Sequence, residues 1–137
     1  MSKKLYKLKA VPESLGTGLN PILDELERLG VDKKIAYKIH LALDELLTNI
    51  VSYAYDHDHG EVEITYEVVK EPKAIVITLS DEGKEFNPLA LDEPDTSLSL
   101  EDRKIGGLGV FLAKNALDEL TYHRENNKNI LIAKKHI

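Results

Sequence analysis

The sequence contains no cysteine. That excludes disulfides and any thiolate-bound metal, and it fits a reducing cytoplasm, which is the expected location. No apolar run approaches the ~20 residues that a membrane-spanning helix needs. The opening residues Met1-Ser2-Lys3-Lys4-Leu5-Tyr6 are basic but lead into no apolar stretch, so no secretory leader is expected. Positive charge is scarce: 18 Lys and Arg stand against 24 Asp and Glu, a formal net charge of −6. Broad nucleic-acid binding needs a positive field, so direct nucleic-acid binding is not expected, and neither is a membrane association. Internal repeats, low-complexity segments and interdomain linkers are also lacking.

What remains is an ordinary globular composition. The chain has 137 residues, 42% hydrophobic and 31% charged. That predicts one domain over residues 1–137, able to bury roughly two-thirds of its unfolded surface. An acidic chain of this kind must hold any polyanionic ligand locally, with backbone amides and a metal ion.

Alternation from Leu5 to Val11 predicts a strand that Pro12 ends. Leu15, Leu19, Ile22, Leu23, Leu26 and Leu29 recur at helical spacing, with Gly30 as C-cap. Gly16, Gly18 and Pro21 weaken the first turns, so this helix starts late. Asp32 is placed to cap a second helix reaching about Tyr55. Its apolar stripe is Ile35, Ile39, Ala42, Leu43, Leu46, Ile50 and Ala54. Val62 to Val69 and Ala74 to Leu79 read as strands, the second so continuously apolar that it is expected to be central. Residues from Pro88 to Ile105 lack periodicity and predict a long functional loop, poorly ordered without a ligand. A third helix is expected over Leu108 to Leu120. A hairpin then closes the chain, Leu120 to Arg124 with Ile130 to Lys134, across a Glu125–Asn129 loop. This order is not a strict βαβ alternation. It predicts an α/β (α+β) two-layer sandwich with a mixed, mostly antiparallel sheet and helices on one face.

Three short motifs carry the chemistry. Glu45 and Asn49 are one turn apart on the second helix, about 6 Å along its axis and on one face. An amide oxygen can ligate Mg²⁺ without repelling phosphates, and Mg²⁺ needs only one or two protein ligands beside phosphate oxygens. A carboxylate one turn away can accept a proton from an attacking hydroxyl. Taken alone, this pair also reads as a solvated helix face. Asp81 ends an apolar strand and is followed by Gly83, which permits close backbone approach to a ligand. Its carboxylate can accept from an exocyclic amine such as adenine N6; the plain alternative is a strand-to-turn aspartate. Gly106, Gly107 and Gly109 open the third helix, where free N–H groups and the helix dipole attract phosphate. Arg103 and Lys104 add charge there. A hinge before a helix is the alternative.

In combination the motifs resemble the GHKL, or Bergerat-fold, ATPases. Within that superfamily the chain is similar to the small anti-sigma-factor serine/threonine kinases, from Leu5 to its end. Glu45-x-x-x-Asn49 resembles the family's N box, which implies Glu45 as general base and Asn49 as Mg²⁺ ligand. Asp81-x-Gly83-x-x-Phe86-Asn87-Pro88 resembles the G1 box. That implies Asp81 on adenine N6, Gly83 close to the base and Phe86 packed beneath the loop. Gly106-Gly107-Leu108-Gly109, with Lys104 before it, resembles the phosphate-holding G2 box. The resemblance implies ATP and Mg²⁺ as cofactors, a Bergerat ATP-binding fold and phosphorylation of a STAS-type anti-anti-sigma protein. It also implies sequestration of a sigma factor and a homodimer. The alternative activity is a nucleotide-gated binding module without phosphoryl transfer. One departure is expected: relatives often carry Thr or Ser near the adenine in the last strand, where Ala133 stands here. His57 and His59 read as a solvated loop, and His40 as part of the packing.

Overall fold

A computed structural model describes residues 3–55, 60–90 and 107–137, with side chains from Gly109 onward in the last segment. The chain runs as strand β1 (Lys4–Lys9), helices α1 (Asn20–Arg28) and α2 (Lys33–Asn49), and strands β2 (Glu61–Val69) and β3 (Ala74–Asp81). Helix α3 (Gly107–Ala116) and strands β4 (Glu119–Glu125) and β5 (Lys128–His136) complete it. The sheet order is β1-β2-β3-β5-β4. Every pairing among the described strands is antiparallel, so the expected mostly antiparallel sheet is wholly so here.

Strand alternation decides which face is covered. Val62, Ile64, Tyr66 and Val68 on β2 are buried, as are Ile75, Ile77, Leu79 and Asp81 on β3 and Leu131 and Ala133 on β5. All of these but Val68 and Asp81 form one core with Ile22 and Leu26 of α1, Ile39, Leu43, Leu46 and Leu47 of α2, and Ala113 of α3. The helices therefore lie on one face, as the element order predicts. β3 sits in the middle of the sheet, as its continuous apolar run predicts.

Local chemistry sets the element ends. Asp32 caps α2 by accepting the Lys34 N–H at 2.8 Å. α1 starts at Asn20, because the chain before it first crosses β1. There the Tyr6 hydroxyl donates to the Gly18 carbonyl at 2.7 Å, and a Cβ at Gly18 would meet the Ser14 carbonyl oxygen at 2.4 Å. Gly30 takes φ +69°, the left-handed value expected after a helix end. α3 ends at Ala116 rather than Leu120, and the chain enters β4 directly. The closing turn is tighter than the expected five-residue loop. Asn126 (φ +52°) and Asn127 (φ +62°) make a two-residue turn that pairs Glu125 with Lys128.

α2 does not run as a regular helix to Tyr55. After Asn49 the backbone widens into one π-helical turn, Ile50–Ala54. Such turns insert a residue into a helix and are concentrated at functional sites.

Candidate functional site

Two motif segments meet α2 and the π-helical turn that follows it. The first contact is with the start of α3. A Cβ at Gly109 would sit 2.3 Å from the Glu45 Oε2. Only a glycine lets this carboxylate rest against the first turn of α3. Glu45 is half-buried there, and Asn49, one turn further on, is 7% exposed. The Asn49 Nδ2 is buried with no hydrogen-bond partner. An orphaned buried amide is costly, on the order of 1–3 kcal/mol, and a ligand beside it would remove that cost. Its two amide ends offer an acceptor to a cation or a donor to a phosphate oxygen. The residues present thus fit a magnesium–phosphate group.

The second contact is with the loop after β3. A Cβ at Gly83 would meet the Ala54 carbonyl oxygen at 2.2 Å, and the Lys84 N–H donates to that same oxygen at 2.9 Å. Phe86 packs its ring on Tyr53, with centroids 5.4 Å apart and planes tilted by 30°. The π-helical turn is thus the surface on which this loop sits, and Phe86 packs against it. Tyr55 adds a clamp: its hydroxyl donates to the Glu61 carbonyl and accepts the Glu82 N–H, both at 2.9 Å.

Asp81 lies on the helix-facing side of β3, in phase with Leu79 and Ile77, and is only 3% exposed. Its Oδ1 accepts from the Gly83 N–H and from the Asn129 Nδ2, both at 2.9 Å. Burial pushes its carboxyl above the ordinary carboxylate range; the Asn129 amide, the Gly83 N–H and the Arg124 charge pull in the other direction without cancelling it. A buried carboxylate with so few donors is suited to receive one more from a ligand.

Asn129 is the residue that sequence reasoning missed. It is 3% exposed and holds the site together. Its Nδ2 donates to Asp81 and, at 2.7 Å, to the Lys84 carbonyl. Its Oδ1 accepts from the Tyr122 hydroxyl (2.6 Å), the Arg124 Nη1 (3.1 Å) and the Phe86 N–H (3.2 Å). Arg124 also donates to the Gly83 carbonyl at 2.8 Å. The position facing Asp81 across β3 and β5 is therefore Asn129, not Ala133. Ala133 pairs with Ile77, deeper in the core. The signal available in the sequence was a polar residue in phase with Leu131 and Ala133 on a core-facing strand.

Gly107 begins α3. Lys104 and Gly106, with most of the Pro88–Ile105 loop, lie outside the described residues, as does the Leu108 side chain. So do His57 and His59; the described residues hold no group of three or more His, Asp or Glu that could bind a metal. His40 is exposed on α2 rather than packed. No described helix is long and apolar enough to cross a membrane.

The pattern of the histidine kinase-like ATPase domain matches residues 8–135. The chain belongs to the histidine kinase-like ATPase domain family. Among curated members, it is 25% identical over 138 residues to the serine-protein kinase RsbW of Oceanobacillus iheyensis, covering 93% of this chain and 83% of that one. It is 27% identical over 104 residues to the serine/threonine-protein kinase BtrW of Bordetella bronchiseptica, covering 75% and 72%. A crystal structure of the RsbU and RsbW domains of a Mycobacterium tuberculosis protein matches the fold with a TM-score of 0.71 at 14% identity. That match covers 99% of this chain and 32% of the other, so this chain spans about a third of that crystallised chain. Within the histidine kinase-like ATPase family, the chain is thus similar to proteins named serine-protein kinase RsbW.

Proposed function

We propose that this histidine kinase-like ATPase domain is a Mg-ATP-dependent serine/threonine kinase that phosphorylates a STAS-type anti-anti-sigma protein and sequesters a sigma factor. The observation that carries the reading is the Glu45 carboxylate resting on the first turn of α3 at Gly109, one helical turn from the buried, unsatisfied Asn49 amide.

In this reading Asp81 receives the adenine amine, with Gly83 giving the base access and Phe86 supporting the loop from below. Gly106, Gly107, Leu108 and Gly109 offer backbone N–H groups to the phosphates, and Lys104 adds charge. Asn49 holds the magnesium ion, which when bound neutralises charge on the phosphate oxygens. Glu45 accepts the proton of the partner's serine or threonine hydroxyl. The hydroxyl oxygen then bonds to the γ-phosphorus as the bond to the β-phosphate oxygen breaks, and ADP leaves. Phosphoryl transfer is mostly positioning and charge stabilisation, so few side chains suffice. A homodimer in the cytoplasm is the expected working form.

Calorimetric titration with ATP, with and without Mg²⁺, tests the ligand assignment. The wild type should bind more tightly with the metal, and N49A should lose most of that gain. An N49A variant with the wild-type metal dependence would remove Asn49 from the metal site.

A further inference from the structure

Among the described residues three large apolar side chains are exposed: Leu5, Tyr37 and Leu112. Two of them share one groove. Tyr37 (66% exposed) and Leu112 (40%) line a channel between α2 and α3, with Leu41 beside them. On α2 the residues Lys34, Tyr37, Lys38 and Leu41 recur at i, i+3, i+4 and i+7, so they form one stripe. That stripe lies off the buried one of Ile39, Leu43 and Leu46, and points away from the sheet. Lys33, Lys34 and Lys38 rim the groove, and none of the three makes an ion pair among the described residues.

The lysines and Tyr37 lie toward the N-terminal end of α2, while Leu41 and Leu112 bring the groove to within one helical turn of Glu45 and Gly109. Tyr37 precedes Asn49 by twelve residues, about 18 Å along the helix axis. The nucleotide chemistry uses neither the stripe nor its lysines. An apolar seam between two helices has the shape that accepts a third helix by its apolar face. Charge then selects the occupant. Lys33, Lys34 and Lys38, the last of them acting on Asp118, form a local positive rim in a chain of net charge −6, which attracts acidic side chains and repels a like surface. A second copy docked symmetrically would bring the two lysine rims together.

We propose that the α2–α3 groove docks an acidic amphipathic helix of a partner protein, with its leucine-type face on Tyr37, Leu41 and Leu112 and its carboxylates on Lys33, Lys34 and Lys38. This goes beyond the kinase reading: its residues are not the ones assigned there, although the groove ends one helical turn from Glu45 and Gly109.

The test titrates the ¹⁵N-labelled full chain with a synthetic 18-residue helix. Its leucines recur at i, i+3, i+4 and i+7 and its other positions are glutamate; a twin carries lysine at those positions. The acidic helix should bind saturably, with amide shifts confined to residues 33–41 and 112–116. Its affinity should fall about tenfold or more in K34E/K38E and in L112S, both exposed sites, with thermal melts unchanged. Equal binding of the lysine twin, shifts elsewhere or absence of saturation would overturn the proposal. Sedimentation of the unliganded chain supplies one more outcome: a dimer that L112S dissociates would make a second copy the occupant and overturn it as well.

Discussion

Replacing Gly109 with alanine separates stability from chemistry. The added Cβ would lie 2.3 Å from the Glu45 Oε2, whereas ordinary contact begins at 3.4 Å, so the carboxylate must retreat by about 1 Å. The obstruction is the far end of a flexible side chain, so the backbone need not move. Alanine inside a helix is favoured over glycine by roughly 0.5–1 kcal/mol. G109A should therefore melt at or slightly above the wild-type temperature. A misplacement of about 1 Å at a catalytic group costs about 10²-fold in rate, or about 2.7 kcal/mol of barrier. Steady-state phosphoryl transfer to a partner should fall by that factor. The double variant identifies the cause: if G109A acts through Glu45, adding it to E45A should change transfer by less than about threefold, since the two residues form one coupled unit. Wild-type transfer by G109A would refute this reasoning, and so would an equal further loss in the E45A background.

Two further outcomes concern the other end of the site. N129A removes the partner of Asp81, the Lys84 carbonyl, the Phe86 N–H and the Tyr122 hydroxyl together. It should destabilise the fold by about 2–4 kcal/mol in urea unfolding, and a loss below about 1 kcal/mol would show that the network is replaceable. D81N should abolish most ATP affinity in calorimetry while keeping the fold, because the new amide oxygen still accepts from Gly83 and Asn129. Its stability relative to wild type should also depend on pH. Burial raises the folded Asp81 above its ordinary value of 3.8, so the native state holds that proton more tightly than the unfolded chain. Wild-type stability from this group is lost as pH rises from about 4 through the folded titration. The difference should grow in favour of D81N over that window and then level off; a gap independent of pH would contradict it.

Much of this arrangement was legible in the sequence because the signals were local. Alternation marked β2 and β3, and Asp32 marked the start of α2. Glu45 and Asn49 share a helix face by spacing alone. What escaped was set by register and tertiary contact. Reading Glu125–Asn129 as a loop opposes Arg124 to Ile130. The two-residue Asn126-Asn127 turn instead opposes Arg124 to Asn129. In a strand, a slip of one residue moves each side chain to the other face. Counting Asn129 as loop hid it, while Ala133, on the same face of β5, was singled out only by the resemblance to relatives that carry Thr or Ser in the last strand. The Asn129–Asp81 hydrogen bond joins residues 48 apart, beyond any periodicity. The π-helical turn was equally invisible, since Ile50 and Ala54 fit a regular helical stripe. Its contacts are tertiary: Gly83 and Phe86 pack onto Ala54 and Tyr53.

The most direct test of the central claim is transfer of labelled γ-phosphate from Mg-ATP to a purified STAS-domain protein, with wild type and E45A side by side. The account predicts label on a serine or threonine of the partner with wild type, and a loss of at least about 10²-fold with E45A while ATP affinity is kept. Tight ATP binding with no transfer by wild type, or transfer by E45A at the wild-type rate, would contradict it.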